Sequence, residues 1–585
     1  MSRTRFGILP AIVAIAVAPL AADAQNDDSS RSTRRSIAQS QAIAGDFART
    51  ELALSPETAS RLGLERVIGP TAAFALDNHS QAGFERRRLV RIELAQRLLG
   101  RPALPAGHPL TRDLAVAERA LQDLIALEQL GFGRFSYADL RPYAIDPYSG
   151  VWIEGPALLV YRQSINTADE AAAFLARLRS LSFAIDDTRR RLIADQASGL
   201  LLPSSLLDET QSRIDLLLAD EAAALKRIVE TFDALTRAVD DLEPERRRQL
   251  IERVEGEVSG RLVPAYTALS TAFDTLRDEA SDHDGVWAQR RGQDIFAGIL
   301  TASTGDTILS ERLHDRHMAD LAPLATAYFS SLFVSEDILD TAAPRPDASQ
   351  EIFAWYLARA LPPTPAIEPD EETTPDPLLA LVPQSIWSLL AEAAEFDAQQ
   401  AAFLTFETSA VSTISDDTAN PEAPYRQLVE YPAIQAAWQH YAWQQRSPAP
   451  ESADPIPGPV LDEIAHQRVA LIRAALAAID TGIHLDRWTV DEATTFLIEQ
   501  TALPREVADQ IVLRIVARPG YHTAIASAWH RINGLSERAR AVLGEHYSEA
   551  GFQSALIGPG PRPLYLIEQD IEAWYGAQLA APKPN

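Results

Sequence analysis

The run TADEAAAFLARLRSLSFAID, residues 167–186, decides the fold class. Thr167 followed three residues later by Glu170 is a capping-box signature. Leu175, Leu178, Leu181 and Ile185 then recur at the three- and four-residue spacing that lines one face of an α-helix, whereas a half-buried strand would alternate every second residue. The same grammar runs outward in both directions. Leu225, Ile228, Phe232, Leu235, Val239 and Leu242 form a second stripe, read as a core-facing helix rather than a coiled-coil seam because it covers barely three heptads. Helical patterns continue near 250–280 and 307–332. Thr489 with Glu492 repeats the capping box, Pro504 suits a first helical turn, Arg518-Pro519-Gly520 is a stop, and residues 564–574 read as a closing helix. No alternating pattern of useful length intervenes, so the expected fold is all-α: a large multi-helix body.

Composition bounds the class. The 585 residues are 46% hydrophobic and 23% charged, enough to bury a large core. Arg3 and Arg5 precede an apolar run, 6–20, that ends in Ala22-Asp23-Ala24, which reads as a signal peptide, 1–24, cleaved before Gln25. Residues 25–45 are rich in Ser, Asp and Arg and are expected to be unstructured. Pro-rich breaks at 360–377 and 446–459 suggest an N-terminal helical lobe, 46–359, a linker, 360–383, and a C-terminal lobe, 384–585. No later stretch is apolar enough to span a membrane, and the absence of cysteine leaves no lipidated cysteine, so a periplasmic or secreted protein is expected.

The formal charge of −28 disfavours extended contact with nucleic acid or an anionic membrane. Arginine triplets at 86–88, 189–191 and 246–248 lie beside acidic residues or in helical patterns and read as solvated faces. Lysine occurs only at 226 and 583, which excludes a GxxxxGK[ST] phosphate loop, and no cysteine nucleophile exists.

The stretch IDTGIHLDRWT, 479–489, places His484 after a Thr-Gly pair and before a capped helix, a plausible position for an acid, base or ligand. Read onward through TVDEATTFLIEQTALP, RPG at 518–520, LSERARAVLGEHY and GPGPRPLYLIEQDIEAW, the order and spacing resemble a bacterial family known as domain of unknown function 885. Upstream, the segment opening at Ala168, GLLLPSSLLDE, GVWAQRRGQDIFAGILTASTGDTILSERLHDRH and PRPDASQEIF extend the resemblance over roughly 145–580. It implies an all-helical, zinc-peptidase-like body around a deep channel.

In that family the full motif, His-Glu-Ala-Val-Pro-Gly-His-His, supplies two zinc ligands and a general base, and a later Glu-Gly-Trp-Ala-x-Tyr supplies the third ligand. A hydrolytic zinc needs three such ligands and a water whose pKa it lowers. The matching runs here are LTFETSAVSTIS at 404–415 and IQAAWQHYAW at 434–443. Glu407 stands in place of the first His, Thr408 of the base, Thr413 of the second His, and Ala436 of the ligand Glu, while Trp438 and Tyr441 are kept. The family's tyrosine after Pro-Gly, a donor to an oxyanion, is Ile525, and Gln350 replaces an expected Arg. No histidine in the chain is followed by Glu, so no HExxH exists anywhere. Zinc binding is worth on the order of 10 kcal/mol through its ligands, and these replacements cannot hold it. No zinc or other cofactor is expected.

Two Glu-x-x-His pairs, Glu311 with His314 and Glu463 with His466, have a helical ligand spacing but are expected about once by chance. His317 adds little to the first, and a rebuilt site using Glu407, His440 or His484 is less favoured still. No Gly-x-Ser-x-Gly elbow is present. Tyr521 and His522, with Trp529 and His530, form an aromatic and imidazole cluster on one helix. The expected cleft residues are Trp438, Tyr441, His484, Tyr521, His522 and His314. Three functions stay open. The favoured one is a pseudo-peptidase that binds a peptide or a protein partner such as an active paralogue. The others are a hydrolase with a relocated or metal-independent site, and a purely structural helical protein.

Overall fold

A computed structural model describes residues 18–69, 72, 74–308, 312–339, 378, 425–445 and 458–580, with side chains for all of these except 18–29, 332–339, 443 and 458–466. Helices account for nearly all the regular structure among these residues. The one sheet there is a hairpin of two-residue strands, Arg134–Phe135 and Leu140–Arg141, antiparallel with Arg134 opposite Arg141 and Phe135 opposite Leu140. No helix among the described residues is long and apolar enough to cross a membrane.

The capped run forms helix Ala168–Ala197. Thr167 Oγ1 accepts from the Glu170 amide at 3.2 Å, while the Glu170 carboxylate accepts from the Asn166 amide, one residue before the usual partner. Leu175, Leu178, Leu181 and Ile185 are all buried. The second stripe also faces the core, but its helix, Ser204–Thr236, ends before Val239 and Leu242, which pack from the turn that follows. That helix is broken at Ala219–Ala222, where Asp220, Glu221 and Ala222 take positive φ. No glycine or proline marks the break.

Among the described residues two hydrophobic cores are seen, and neither follows the expected lobes. The larger joins residues from 124–328 with Ala433 and residues from 469–525. The smaller joins 44–121 with 428–441 and 528–571, so the two ends of the chain share one core. The division into 46–359 and 384–585 therefore does not describe the packing. Residues 360–377 and 446–457 lie outside the described residues.

Residues 30–45, expected to be unstructured, belong to helix Ala18–Leu54. Ser40, Ala44, Phe47, Ala48, Glu51 and Leu52 are buried in an otherwise polar helix. Their helical spacing is diluted by Ser, Arg and Gln, and it becomes ordering only because the smaller core offers that stripe a surface.

Helix Gly458–His484 runs through the C-terminal half against Leu313–Leu339, Val490–Thr501 and Tyr521–Leu543. Its neighbours start where the sequence signals them. Thr489 and Glu492 make a complete capping box, Pro504 precedes helix Arg505–Ala517, and Gly520, with φ of 77°, opens Tyr521–Leu543.

Candidate functional site

His484 is the last residue of helix Gly458–His484 and is about 1% exposed. Its Nδ1 accepts from the Val286 amide at 3.1 Å and its Nε2–H donates to the Ile515 carbonyl at 3.0 Å. Both nitrogens are thus committed to backbone, which fixes the neutral tautomer. Burial pushes the imidazole down to about 4, opposed only weakly by the Ile515 bond. The expectation that His484 lines a cleft is overturned, because the ring fills a gap between three segments of the core.

The residues around it explain the stretch. Asp480, one turn earlier and buried, accepts from the amides of Gly520 and Thr523 and from the Thr523 hydroxyl, each at 2.8 Å. It therefore caps a different helix, Tyr521–Leu543, across the core. Burial raises this carboxyl to about 6 despite those bonds. Gly482 lets the Trp488 ring lie where a β-carbon would stand 2.6 Å away, so Trp488 seals the helix end. Asp480 and Trp488 thus hold the end of helix Gly458–His484 against its neighbours in the core.

The other expected cleft residues separate. Tyr441 is buried in the smaller core, with its hydroxyl 2.7 Å from Ser536 Oγ and donating to Glu549 at 2.9 Å. Trp438 is buried beside it. His314 is 3.0 Å from Thr481 Oγ1 and stacks edge-on against Trp488, while His317 donates from Nδ1 to the Ala477 carbonyl at 3.0 Å. Burial depresses His317 to about 4 and, with the Arg518 charge, His522 to about 3. His530 pairs with Asp320 at 2.7 Å. Tyr521 lines a small cavity of about 30 Å³, where Arg518 lies 3.6 Å over its ring.

Of the positions that the resemblance marks as degenerate, only Ala436 and Ile525 are described. Glu407, Thr408 and Thr413 lie outside the described residues, as does Glu311, while the side chains of Glu463 and His466 are not described. Ala436 is half-buried in helix Pro432–Gln444 with a methyl group where the resemblance expects a ligand carboxylate. Ile525 is buried in the larger core. Among the described residues no three His, Cys, Asp or Glu side chains are grouped to hold a metal ion.

A large cavity lies elsewhere, beside the 134–141 hairpin, and has a volume of about 540 Å³. Sequence reading missed it, since its residues come from five separated segments and share no motif. Phe84, Phe135 and Tyr161 supply apolar wall. His79 Nε2–H donates to Glu57 at 3.0 Å, and the Glu57 and Asp77 side chains each accept the other's backbone amide, at 3.2 and 3.1 Å. Burial alone would depress His79, but the Glu57 charge and hydrogen bond, helped by Asp77, hold it above its usual range. Asp77 is raised to about 6 by burial and by Glu57. Arg134 grips Glu154 with two bonds of 2.6 and 2.9 Å. At the rim, Pro156 lies inside helix Val151–Ala157, and the following turn, Leu158–Arg162, is π-helical, which sets Tyr161 and Arg162 outward.

The family model described as "Bacterial protein of unknown function (DUF885)" matches residues 56–330 and 458–571, well over half of the chain. No curated protein matches. Two solved structures are similar in fold. "The crystal structure of the putative lipoprotein from Colwellia psychrerythraea" aligns with a TM-score of 0.74 at 18% identity, over 93% of this chain and all of that one. "The structure of a putative lipoprotein of unknown function from Shewanella oneidensis" aligns with a TM-score of 0.60 at 13% identity, over 90% of this chain and 98% of that one.

Proposed function

The chain belongs to the DUF885 family, and we propose that it is an exported, non-hydrolytic member that binds a peptide or a protein partner in a cavity of its helical body. The observation that carries the non-hydrolytic part is the fate of the histidines. His484 gives both nitrogens to backbone and His317 gives one to the Ala477 carbonyl, so these imidazoles are scaffold. Ala436 and Ile525 offer no donor where the family resemblance wants a ligand and an oxyanion tyrosine. The cavity beside the hairpin, with aromatic walls and convergent charged groups, supports retention of a ligand without turnover. Export is supported by the leader-like N-terminus and by the titles of the two similar structures.

The test is metal content and turnover on one preparation. Protein purified without chelator is expected to contain no stoichiometric zinc and to cleave no peptide library, yet to gain thermal stability on adding peptides. Stoichiometric zinc with chelator-sensitive cleavage would overturn the proposal. Cleavage without zinc would point to the second reading, a metal-independent hydrolase, for which the His79–Glu57 pair on the cavity wall is the specific observation.

A further inference from the structure

The charges of the cavity beside the 134–141 hairpin are unequally satisfied. Every carboxylate in its wall already has a cation of the chain. Glu57 has His79, Asp77 has Arg87 at 3.7 Å, and Glu128 has Arg91. Asp139 has Arg141 and Arg518, and Glu154 has Arg134. The converse does not hold. Arg162 stands exposed at the rim with no carboxylate partner among the described residues. His79 uses Nε2 on Glu57, which leaves Nδ1 without a partner on a ring that lines the cavity. The chain as a whole carries a formal charge of −28, so a pocket with spare cationic donors is a local exception to its field.

We propose that this cavity binds the C-terminal end of a peptide, taking the free carboxylate on Arg162 and His79 Nδ1 and the last side chain against Phe84, Phe135 and Tyr161. The proposal rests on the peptide-binding reading above and names which part of the peptide is held. An incoming ammonium group would meet carboxylates that each have a cation of the chain already; Glu128 Oε2 and Asp139 Oδ1 lack a hydrogen bond, but both carboxylates lie against arginines that would repel a second cation. An incoming carboxylate meets donors that no chain group occupies, and charge-assisted bonds to guanidinium and imidazole are the strong kind. The backbone interior of a peptide has no charge to offer either donor. The aromatic rings favour an apolar or aromatic last residue, because they bury its surface while the carboxylate stays at the polar side.

The experiment uses the full chain and three peptides in isothermal titration: acetyl-Ala-Ala-Phe with a free carboxylate, the same peptide amidated, and Phe-Ala-Ala-amide with a free amino group. The free acid is expected to bind on the order of tenfold tighter than its amide. That preference should vanish in Arg162→Gln, an exposed substitution that the fold tolerates, and should shrink in His79→Gln. Equal binding of acid and amide, or an unchanged preference in Arg162→Gln, overturns this inference and leaves peptide binding intact. Tighter binding of the amino-terminal peptide overturns it in favour of an ammonium site. Binding of none of the three overturns both this inference and the peptide-binding reading.

Discussion

His484 accepts the amide of Val286 at 3.1 Å, although 198 positions separate the two residues. The other ring nitrogen holds the Ile515 carbonyl, so one imidazole ties the 286–288 turn to the ends of two helices. His484→Ala is therefore expected to be a stability variant. It orphans two buried backbone groups and opens a cavity, at a cost of about 3 kcal/mol. Urea denaturation checks this, and a loss below about 1 kcal/mol would contradict the structural role.

The same ring makes a pH prediction. Its folded value is about 4, below the ordinary 6.5, so the unfolded chain binds a proton between those values that the folded chain refuses. The contribution of His484 to stability is therefore intact above pH 6.5 and declines as pH falls toward 4. Glutamine can make both bonds without titrating. His484→Gln should gain on the wild type in stability as pH falls through that window, and parallel denaturation curves at pH 7 and 4.5 would refute the assignment.

Asp480 caps helix Tyr521–Leu543 from the interior of another helix. Asp480→Ala leaves the Gly520 and Thr523 amides without acceptors in the core, with an expected loss of about 3 kcal/mol. Asp480→Asn keeps an acceptor and should lose less. The order of the two midpoints in a thermal melt is the measurement.

Gly482→Ala places a methyl group 2.6 Å from the Trp488 ring. The ring must shift, at an expected cost of about 1–3 kcal/mol. Near-ultraviolet circular dichroism should report the altered Trp488 environment together with the loss of stability. An unchanged spectrum would mean that the ring does not occupy this position.

Tyr441 is retained from the family motif but sits in the smaller core, bonded to Ser536 and Glu549. Tyr441→Phe should cost about 1 kcal/mol and leave the affinity for acetyl-Ala-Ala-Phe as it was. A loss of affinity at unchanged stability would return Tyr441 to the binding site.

The helical class, the capped starts at Thr167 and Thr489 and the stop at Arg518-Pro519-Gly520 were all legible along the chain. Each depends on residues within a turn or two of one another, and short-range spacing determines local hydrogen bonding. The ordering of residues 30–45 was hidden for the opposite reason. Ser40, Ala44 and Phe47 make a stripe too weak to hold a helix alone, and only the core that receives it decides the outcome.

The site divides along the same line. That Ala436 and Ile525 cannot serve a zinc follows from their side chains alone, wherever they lie. Whether His484 faced a cleft or the core depended on Val286 and Ile515, and the cavity needed Glu57, His79, Arg134, Glu154 and Arg162 brought together from distant segments. The sequence by itself determined the helical class and where helices begin and end, because both are properties of residue type and short spacing. The tertiary structure decided which polar groups are spent on the scaffold and which stay open, because a hydrogen bond depends on distance in space and not on separation along the chain.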